Sequence, residues 1–151
     1  MIKVLDQNTI NKIAAGEVIE KPSSVIKELV ENSIDSGATA VTVEVKGGGL
    51  SFLRVTDNGA GIKKDEVKLA FLRHATSKLV TVEDLLSISS LGFRGEALAS
   101  IAAVAQVEMI TKIADDVTGL RYQIHGGKEI SSEEIGAPGG TTIIVRNLFY
   151  N

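Results

Sequence analysis

KELVENSIDSGA, residues 27–38, separates into an apolar stripe and a polar stripe when it is drawn as a helix. The apolar stripe, extended one turn upstream, consists of Val25, Leu29, Val30 and Ile34. The polar stripe consists of Glu28, Glu31, Asn32 and Asp35. The spacing predicts a helix that begins at Pro22, ends at about Asp35 before Gly37, and packs on a core through its apolar stripe.

The polar stripe is not explained by folding alone, because Glu31 and Asp35 are like charges one turn apart and repel each other. One explanation is an ordinary solvated helix face. The other is the wall of a binding site. In such a site a carboxylate such as Glu28 could act as a general base towards water, and the Asn32 carbonyl could ligate Mg²⁺. The residues by themselves leave both explanations open.

The composition is that of one soluble globular domain. The chain has 151 residues, of which 44% are apolar and 23% are charged, and it contains no cysteine. The lack of cysteine excludes disulfides and thiolate metal sites in this chain. A net charge of −3 provides no overall basic surface for nucleic acid, although a local basic patch stays open. No signal-like or membrane-spanning apolar run occurs, so we expect a cytoplasmic protein with no membrane partner.

The rest of the chain alternates between helical and strand patterns. A first helix is predicted within residues 8–19, a third from Lys64 to Ala75, and a fourth after the glycine turn of GFRGEAL, residues 92–98. A hairpin is predicted around Gly47–Gly49. The later strands are predicted in VEMITKI, GLRYQIHG, KEISSEEI and TTIIVRN. The pattern indicates one α/β domain with roughly four helices and a sheet.

The loop DNGAGI has the composition of a ligand-binding loop. Asp57 closes a predicted strand, and its carboxylate could accept a hydrogen bond from an exocyclic amine. Gly59 and Gly61 would let a flat ligand approach the backbone closely. An ordinary turn explains the same residues, because Asp-Asn-Gly favours turns. A calcium-binding loop does not fit, because glycines occupy its third and fifth positions and Lys68 its twelfth.

Two further segments could contact phosphate. GFRGEAL places two glycines before a helix, where unpaired N–H groups bind anions, and HATSK, residues 74–78, groups hydroxyls with an ammonium. The alternative for GFRGEAL is that its glycines only mark the start of a helix, and the alternative for HATSK is a polar helix end. Neither a Walker A motif nor a complete G-x-G-x-x-G motif occurs, so a nucleotide would bind by another route.

Taken in order, KELVENSIDSGA, DNGAGI, HATSKL, GFRGEALASI and GGTT resemble the N-terminal ATPase domain of the MutL family of DNA mismatch repair proteins, within the GHKL superfamily. The opening IAAGEVIEKPSSVIKELVENSIDSGA and the closing LFYN distinguish this family from gyrase B subunits, chaperones and sensor histidine kinases. The resemblance covers essentially all of residues 1–151. It implies the GHKL, or Bergerat, ATPase fold: a two-layer α/β (α+β) sandwich with a mixed sheet and helices on one face.

The resemblance also implies a role for each motif residue. Glu28 matches the general base that activates water for attack on the γ-phosphate, and Asn32 matches the Mg²⁺ ligand. Asp57 matches the carboxylate that binds the adenine amino group. Gly61, Ile62 and Thr141 would surround the adenine. The phosphate-binding lid would contain Thr76, Ser77, Lys78, Gly92, Phe93, Arg94, Gly95, Glu96, Ala97 and Leu98. ATP and Mg²⁺ are therefore the implied cofactors.

The family resemblance implies a place in repair as well. ATP binding would join two N-terminal halves into a homodimer that clamps DNA. That dimer would act as a matchmaker between the mismatch-recognition protein MutS and downstream repair factors. The longer family protein also has a second, transducer domain, which supplies a lysine to the γ-phosphate, and a C-terminal dimerisation domain. We therefore expect residues 1–151 to be a fragment that binds ATP weakly and hydrolyses it slowly to ADP and phosphate.

Two other functions stay open at this point. In the first, the chain is a nucleotide-gated interaction module in which ATP binding matters and turnover is incidental. In the second, it is a histidine kinase catalytic domain, which would need a phosphorylatable histidine in a partner helix bundle. The effect of removing the Glu28 carboxylate on turnover and on repair distinguishes an ATPase from a gate.

Overall fold

The structure, a computed structural model, describes residues 21–72 and 97–150. Within these ranges the helices are α1 Pro22–Asp35, α2 Val67–Ala70 and α3 Ala97–Val104. The strands are β1 Val41–Lys46, β2 Phe52–Asp57, β3 Gln106–Lys112, β4 Gly119–His125, β5 Lys128–Ile135 and β6 Gly140–Arg146. No helix in these ranges has the length and apolar character that a membrane crossing requires.

The described strands form one six-stranded sheet in the order β1-β2-β6-β3-β4-β5. Every neighbouring pair is antiparallel, so the expected mixed sheet is wrong for the strands that the structure describes. The reason is the place of β6. β2 and β3 run in the same direction, but β6 inserts between them and pairs antiparallel with both.

The core lies on one face of this sheet. Leu53 and Val55 on β2 and Ile143 and Val145 on β6 alternate with residues on the opposite face, and all four are buried. The same core cluster includes apolar side chains from each helix: Val25 and Leu29 of α1, Val67 and Ala70 of α2, and Leu98 and Ile101 of α3. The structure therefore confirms the expected two-layer α/β sandwich with helices on one face.

The boundaries of α1 agree with those predicted from the sequence. Lys21 is the extended residue before the helix, and Pro22 occupies its first position, where a missing N–H costs no hydrogen bond. At the other end Gly37 has a φ of +80°, and its N–H donates to the Ile34 carbonyl at 3.0 Å. This left-handed residue ends the helix after Asp35.

The buried side of α1 differs from the predicted stripe. Val25 and Leu29 are buried as expected, but Ile34 is 62% exposed and does not belong to the core. Asn32 and Ser33 are buried instead. The cause is a hydrogen bond from the Ser33 hydroxyl to the sheet, described below, which turns this side of the helix inward and Ile34 outward.

The other predicted elements fall into two groups. The hairpin of β1 and β2 around Gly47–Gly49 and the four later strands are confirmed. The helix predicted from Lys64 to Ala75 is, in its described part, a 3₁₀ turn at Lys64–Glu66 followed by the short α2. The Lys64 ammonium ties this turn to the far sheet edge by donating to Glu134 at 2.6 Å. The helix predicted within residues 8–19 lies outside the described residues.

The sheet face opposite the helices carries a buried carboxylate, Glu108, whose side chain is 8% exposed. Its oxygens accept hydrogen bonds from Arg121 Nε at 2.9 Å, Arg146 Nη1 at 3.2 Å and Gln123 Nε2 at 3.2 Å. Burial alone would raise the pKa of the Glu108 carboxyl, but these hydrogen bonds outweigh it and hold the pKa below its usual value of 4.5.

We expect this network to stabilise the fold only above acidic pH. Because the folded-state pKa of Glu108 is depressed, its contribution is complete above pH 4.5 and is lost as the pH falls through the folded-state value. Glu108→Gln should lower the free energy of unfolding by about 1–3 kcal/mol near pH 7. Urea unfolding of both chains between about pH 3 and pH 7 should show this difference shrinking towards acid.

Glu134→Gln is the matched control, because it removes an exposed carboxylate that pairs with Lys64 rather than a buried one. Its effect near neutral pH should be much smaller than that of Glu108→Gln. Equal losses of stability in the two variants would contradict a special role for the Glu108 network.

Candidate functional site

A small pocket of about 10 Å³, room for about one water molecule, lies between α1 and the sheet and is partly open to solvent. It occupies the end of the sheet where β2 finishes and β6 begins. It is lined by Leu29, Asn32, Ser33, Ser36, Val55, Asp57, Gly61, Thr141 and Ile143. Leu29, Val55 and Ile143 supply apolar wall, and the other lining residues apart from Gly61 have polar side chains, so the pocket offers both apolar contact and hydrogen-bonding groups.

Among the residues that the structure describes, Asp57 is the only acid that lines this pocket. Its Oδ1 accepts the Gly59 N–H at 2.9 Å and the Thr141 N–H at 3.2 Å, and its Oδ2 accepts the Ser33 hydroxyl at 2.7 Å. An ionised carboxylate has about four acceptor positions. Donors from the described residues fill three of them, so Asp57 is held firmly and can accept about one more hydrogen bond.

Asn32 is the second polar group of interest. It is 5% exposed, and neither its Oδ1 nor its Nδ2 has a hydrogen-bond partner among the residues that the structure describes. Leaving a buried amide unpaired costs about 1–3 kcal/mol per group. Because Asn32 lines the pocket, a ligand placed there could supply the missing partner.

Thr111 of β3 supports the pocket from behind. Its buried hydroxyl accepts the Ile62 N–H at 2.9 Å, lies 2.8 Å from the Thr141 hydroxyl, and donates to the Gly140 carbonyl at 3.2 Å. One side chain therefore joins the loop after β2 to the start of β6. The register of the sheet makes this possible, since Thr141 pairs with both Asp57 and Thr111.

Two glycines are required by close backbone approach in this region. Gly61 has a φ of +74°, and a Cβ there would lie 2.1 Å from the Lys112 carbonyl oxygen. Gly140 has a φ of +117°, and a Cβ there would lie 2.1 Å from the Asp57 carbonyl oxygen. Any side chain at either position would move the backbone that holds Asp57 and Thr111 in place.

The structure brings together Asn32, Asp57, Gly61 and Thr141, which all line the pocket. Glu28 does not line it. It lies one turn before Asn32 on α1 and is half-buried. The Ile62 side chain is buried in the core, and its N–H binds Thr111.

The expected lid residues are described only in part. Ala97 and Leu98 begin α3, and both side chains are buried. The other predicted lid residues lie outside the described ranges: Thr76, Ser77, Lys78, Gly92, Phe93, Arg94, Gly95 and Glu96.

Reasoning from the sequence missed two hydroxyls of the site, Ser33 and Thr111. Both interrupt an apolar pattern. Ser33 follows Leu29 by one helical turn, and Thr111 follows Val107 and Met109 on the inward side of β3. A single polar residue on a buried face needs a buried partner, and that need is the sequence feature that could have indicated both.

Residues 19–140 match the family of histidine kinase-, DNA gyrase B-, and HSP90-like ATPases. The chain is also similar to two curated proteins named DNA mismatch repair protein MutL. It is 66% identical over 150 residues to the one from Agathobacter rectalis and 53% identical over 150 residues to the one from Acidobacterium capsulatum. Each alignment covers 99% of this chain and 23% of the relative, so the chain spans less than a quarter of their length.

Two solved structures are also similar to this chain. A crystal structure of the N-terminal domain of a DNA repair protein superposes with a TM-score of 0.81 and 32% identity, covering 98% of this chain and 43% of the other. The Aquifex aeolicus MutL ATPase domain complexed with ADP superposes with a TM-score of 0.67 and 32% identity, covering 89% of this chain and 45% of the other.

The Thr111 hydroxyl should matter for stability. We expect Thr111→Val, which keeps the shape of the side chain, to lower the free energy of unfolding by about 1–3 kcal/mol, because the buried Ile62 N–H loses its acceptor. Thr142→Val is the control. Thr142 lies half-buried on the opposite sheet face, and its hydroxyl donates to the Thr56 hydroxyl at 3.3 Å, so the loss of that hydroxyl should cost less than about 0.5 kcal/mol. Denaturant unfolding of the two variants tests the comparison.

Proposed function

This chain belongs to the family of histidine kinase-, DNA gyrase B-, and HSP90-like ATPases, and we propose that its pocket binds ATP for hydrolysis within a DNA mismatch repair protein. The observation that carries the proposal is that one pocket contains both Asp57, with about one remaining acceptor position, and the buried amide of Asn32, which has no hydrogen-bond partner within the described ranges. The relatives named MutL and the ADP complex of a similar domain support it.

Asp57 is suited to bind the adenine. The exocyclic amine of adenine is a donor, and the remaining acceptor position of Asp57 can take one N–H. Gly61 lines the pocket beside Asp57, and Val55 and Ile143 provide apolar wall. Thr141 would act through its N–H to Asp57 and through its hydroxyl in the pocket.

Asn32 is suited to hold Mg²⁺. Its Oδ1 is a hard oxygen ligand, it is buried in the pocket, and it lacks a protein partner within the described ranges. Mg²⁺ commonly uses few protein ligands and completes its shell with phosphate oxygens and water. When bound, the ion would neutralise phosphate charge. Asn32 is the residue of this chain that would hold it.

Glu28 would act as the general base. It lies four residues before Asn32, so both project from the same side of α1, and a carboxylate there could orient and deprotonate a water molecule. The γ-phosphate would then lie on the side of Asn32 that is away from the adenine. Thr76, Ser77, Lys78 and residues 92–98 would hold the phosphates as the lid.

The wider role in repair also belongs to the proposal, because the chain spans less than a quarter of its curated relatives. ATP binding would drive dimerisation of the ATPase domain, and the dimer would link the mismatch-recognition protein MutS, DNA and downstream repair factors. A second domain would add a lysine at the γ-phosphate, and a further region would hold two copies together. We place the protein in the cytoplasm.

Asp57→Asn tests nucleotide binding. The asparagine amide has an NH2 group in place of one carboxylate oxygen, so it cannot accept all the hydrogen bonds that Asp57 accepts without pointing an N–H at a donor. We therefore expect ATP affinity to fall by at least about 10-fold. Isothermal titration measures the affinity, and thermal unfolding checks that the variant is folded. Asp65→Asn, at an exposed acid outside the pocket, is the control and should bind ATP like the unaltered chain.

Glu28→Ala tests hydrolysis. We expect turnover to fall by about 100-fold or more while ATP affinity stays within about threefold, because a general base acts on water and not on the nucleotide. Glu31→Ala removes a carboxylate from the same polar stripe and should leave turnover nearly unchanged. If Glu28→Ala lost turnover but kept repair in cells, ATP binding alone would be the function, as in a nucleotide-gated module. Unchanged turnover would exclude Glu28 as the base.

A further inference from the structure

We propose that Ser33 is a positioning residue that sets the preference of this pocket for adenine by fixing the Asp57 carboxylate. The inference rests on the proposed ATP site and assigns a role to a residue for which the family resemblance implied none. It starts from one contact: the Ser33 hydroxyl donates to Asp57 Oδ2 at 2.7 Å across 24 residues of sequence.

Ser33 is itself held rigidly. It is 3% exposed, and its carbonyl accepts the Ser36 hydroxyl at 2.7 Å and the Ala38 N–H at 3.2 Å. The Ser36 carbonyl in turn accepts the Ala60 N–H at 3.0 Å. The end of α1 and the loop after β2 are therefore bonded together around Ser33, and these bonds hold its backbone beside Asp57.

The contact determines which acceptor position of Asp57 remains. Both positions of Oδ1 are used by the Gly59 and Thr141 N–H groups, and Ser33 uses one position of Oδ2. A carboxylate has no proton to donate, so the Ser33 hydroxyl must be the donor in this pair. What remains for a ligand is one acceptor position, at an oxygen whose location Ser33 fixes.

This arrangement favours adenine over guanine for a chemical reason. Adenine has an amine donor at the position where guanine has a carbonyl acceptor. With guanine, the fixed Asp57 oxygen would face a carbonyl oxygen, and neither oxygen would have a donor inside the pocket. Unmatched polar groups of this kind discriminate strongly against the wrong ligand. Without the Ser33 hydroxyl, a water molecule could occupy its place beside Asp57. That water could donate a hydrogen bond either to Asp57 or to the nucleotide, which would relax the preference for adenine.

The test compares ATP with GTP and with purine riboside triphosphate, which lacks the exocyclic amine. In Ser33→Ala we expect ATP affinity to fall by about 10-fold, as for the loss of a hydrogen bond to a charged group. Affinity for the amine-free analogue should change by less than about twofold, and the ATP-to-GTP ratio should fall. For turnover, KM for ATP should rise while kcat changes little, because Ser33 acts on the binding of adenine and not at the γ-phosphate.

Ser100→Ala is the matched control. Ser100 is completely buried in α3, and its hydroxyl has no hydrogen-bond partner within the described part of the chain, so removing it alters a buried serine without altering Asp57. It should bind all three nucleotides like the unaltered chain. Thermal unfolding of both variants separates a loss of fold from a loss of affinity.

Equal weakening of ATP and of the amine-free analogue by Ser33→Ala would overturn the proposal, since a general structural defect has no dependence on the amine. An unchanged ATP affinity in Ser33→Ala would overturn it as well. A failure of the ATP site itself would look different, because the unaltered chain would then bind none of the three nucleotides.

Discussion

The carboxylate of Asp57, fixed at the end of β2, is the interaction on which the site depends. Its three donors come from separate parts of the chain: the Ser33 hydroxyl from α1, the Gly59 N–H from the following loop, and the Thr141 N–H from β6. Each bond satisfies part of a half-buried charge that would be costly to leave without partners. The same three bonds therefore join the helix layer to the sheet and shape the acceptor that a ligand meets.

Strand order makes this junction possible. β6 lies between β2 and β3, so Asp57, Thr141 and Thr111 form one row across three neighbouring strands. α1 crosses above that row and supplies Asn32 and Ser33 from its buried side. The pocket is thus built on regular elements, which hold side chains more accurately than loops do. Gly61 and Gly140 occur where two backbone segments approach closely.

Local patterns were enough to predict most elements, and long-range contacts account for what they missed. Pro22 marks the start of α1 and Gly37 marks its end, because the backbone preferences of proline and glycine can be read directly from a sequence. Asn32 and Asp57 were expected in one site because of a family resemblance, not because spacing requires it. Ser33 was missed because the rotation of α1 is set by a partner 24 residues away. Ile34 was wrongly assigned to the core for the same reason.

The position of β6 also constrains how the molecule assembles. The hairpin of β1 and β2 and the meander of β3, β4 and β5 pair neighbours in sequence, so each can form early from local contacts. β6 is made after all of them, yet it occupies the middle of the sheet. During synthesis on the ribosome the edges of β2 and β3 that pair with β6 would stay unpaired until residues 140–146 emerge, and an unpaired strand edge is open to misassembly with other chains.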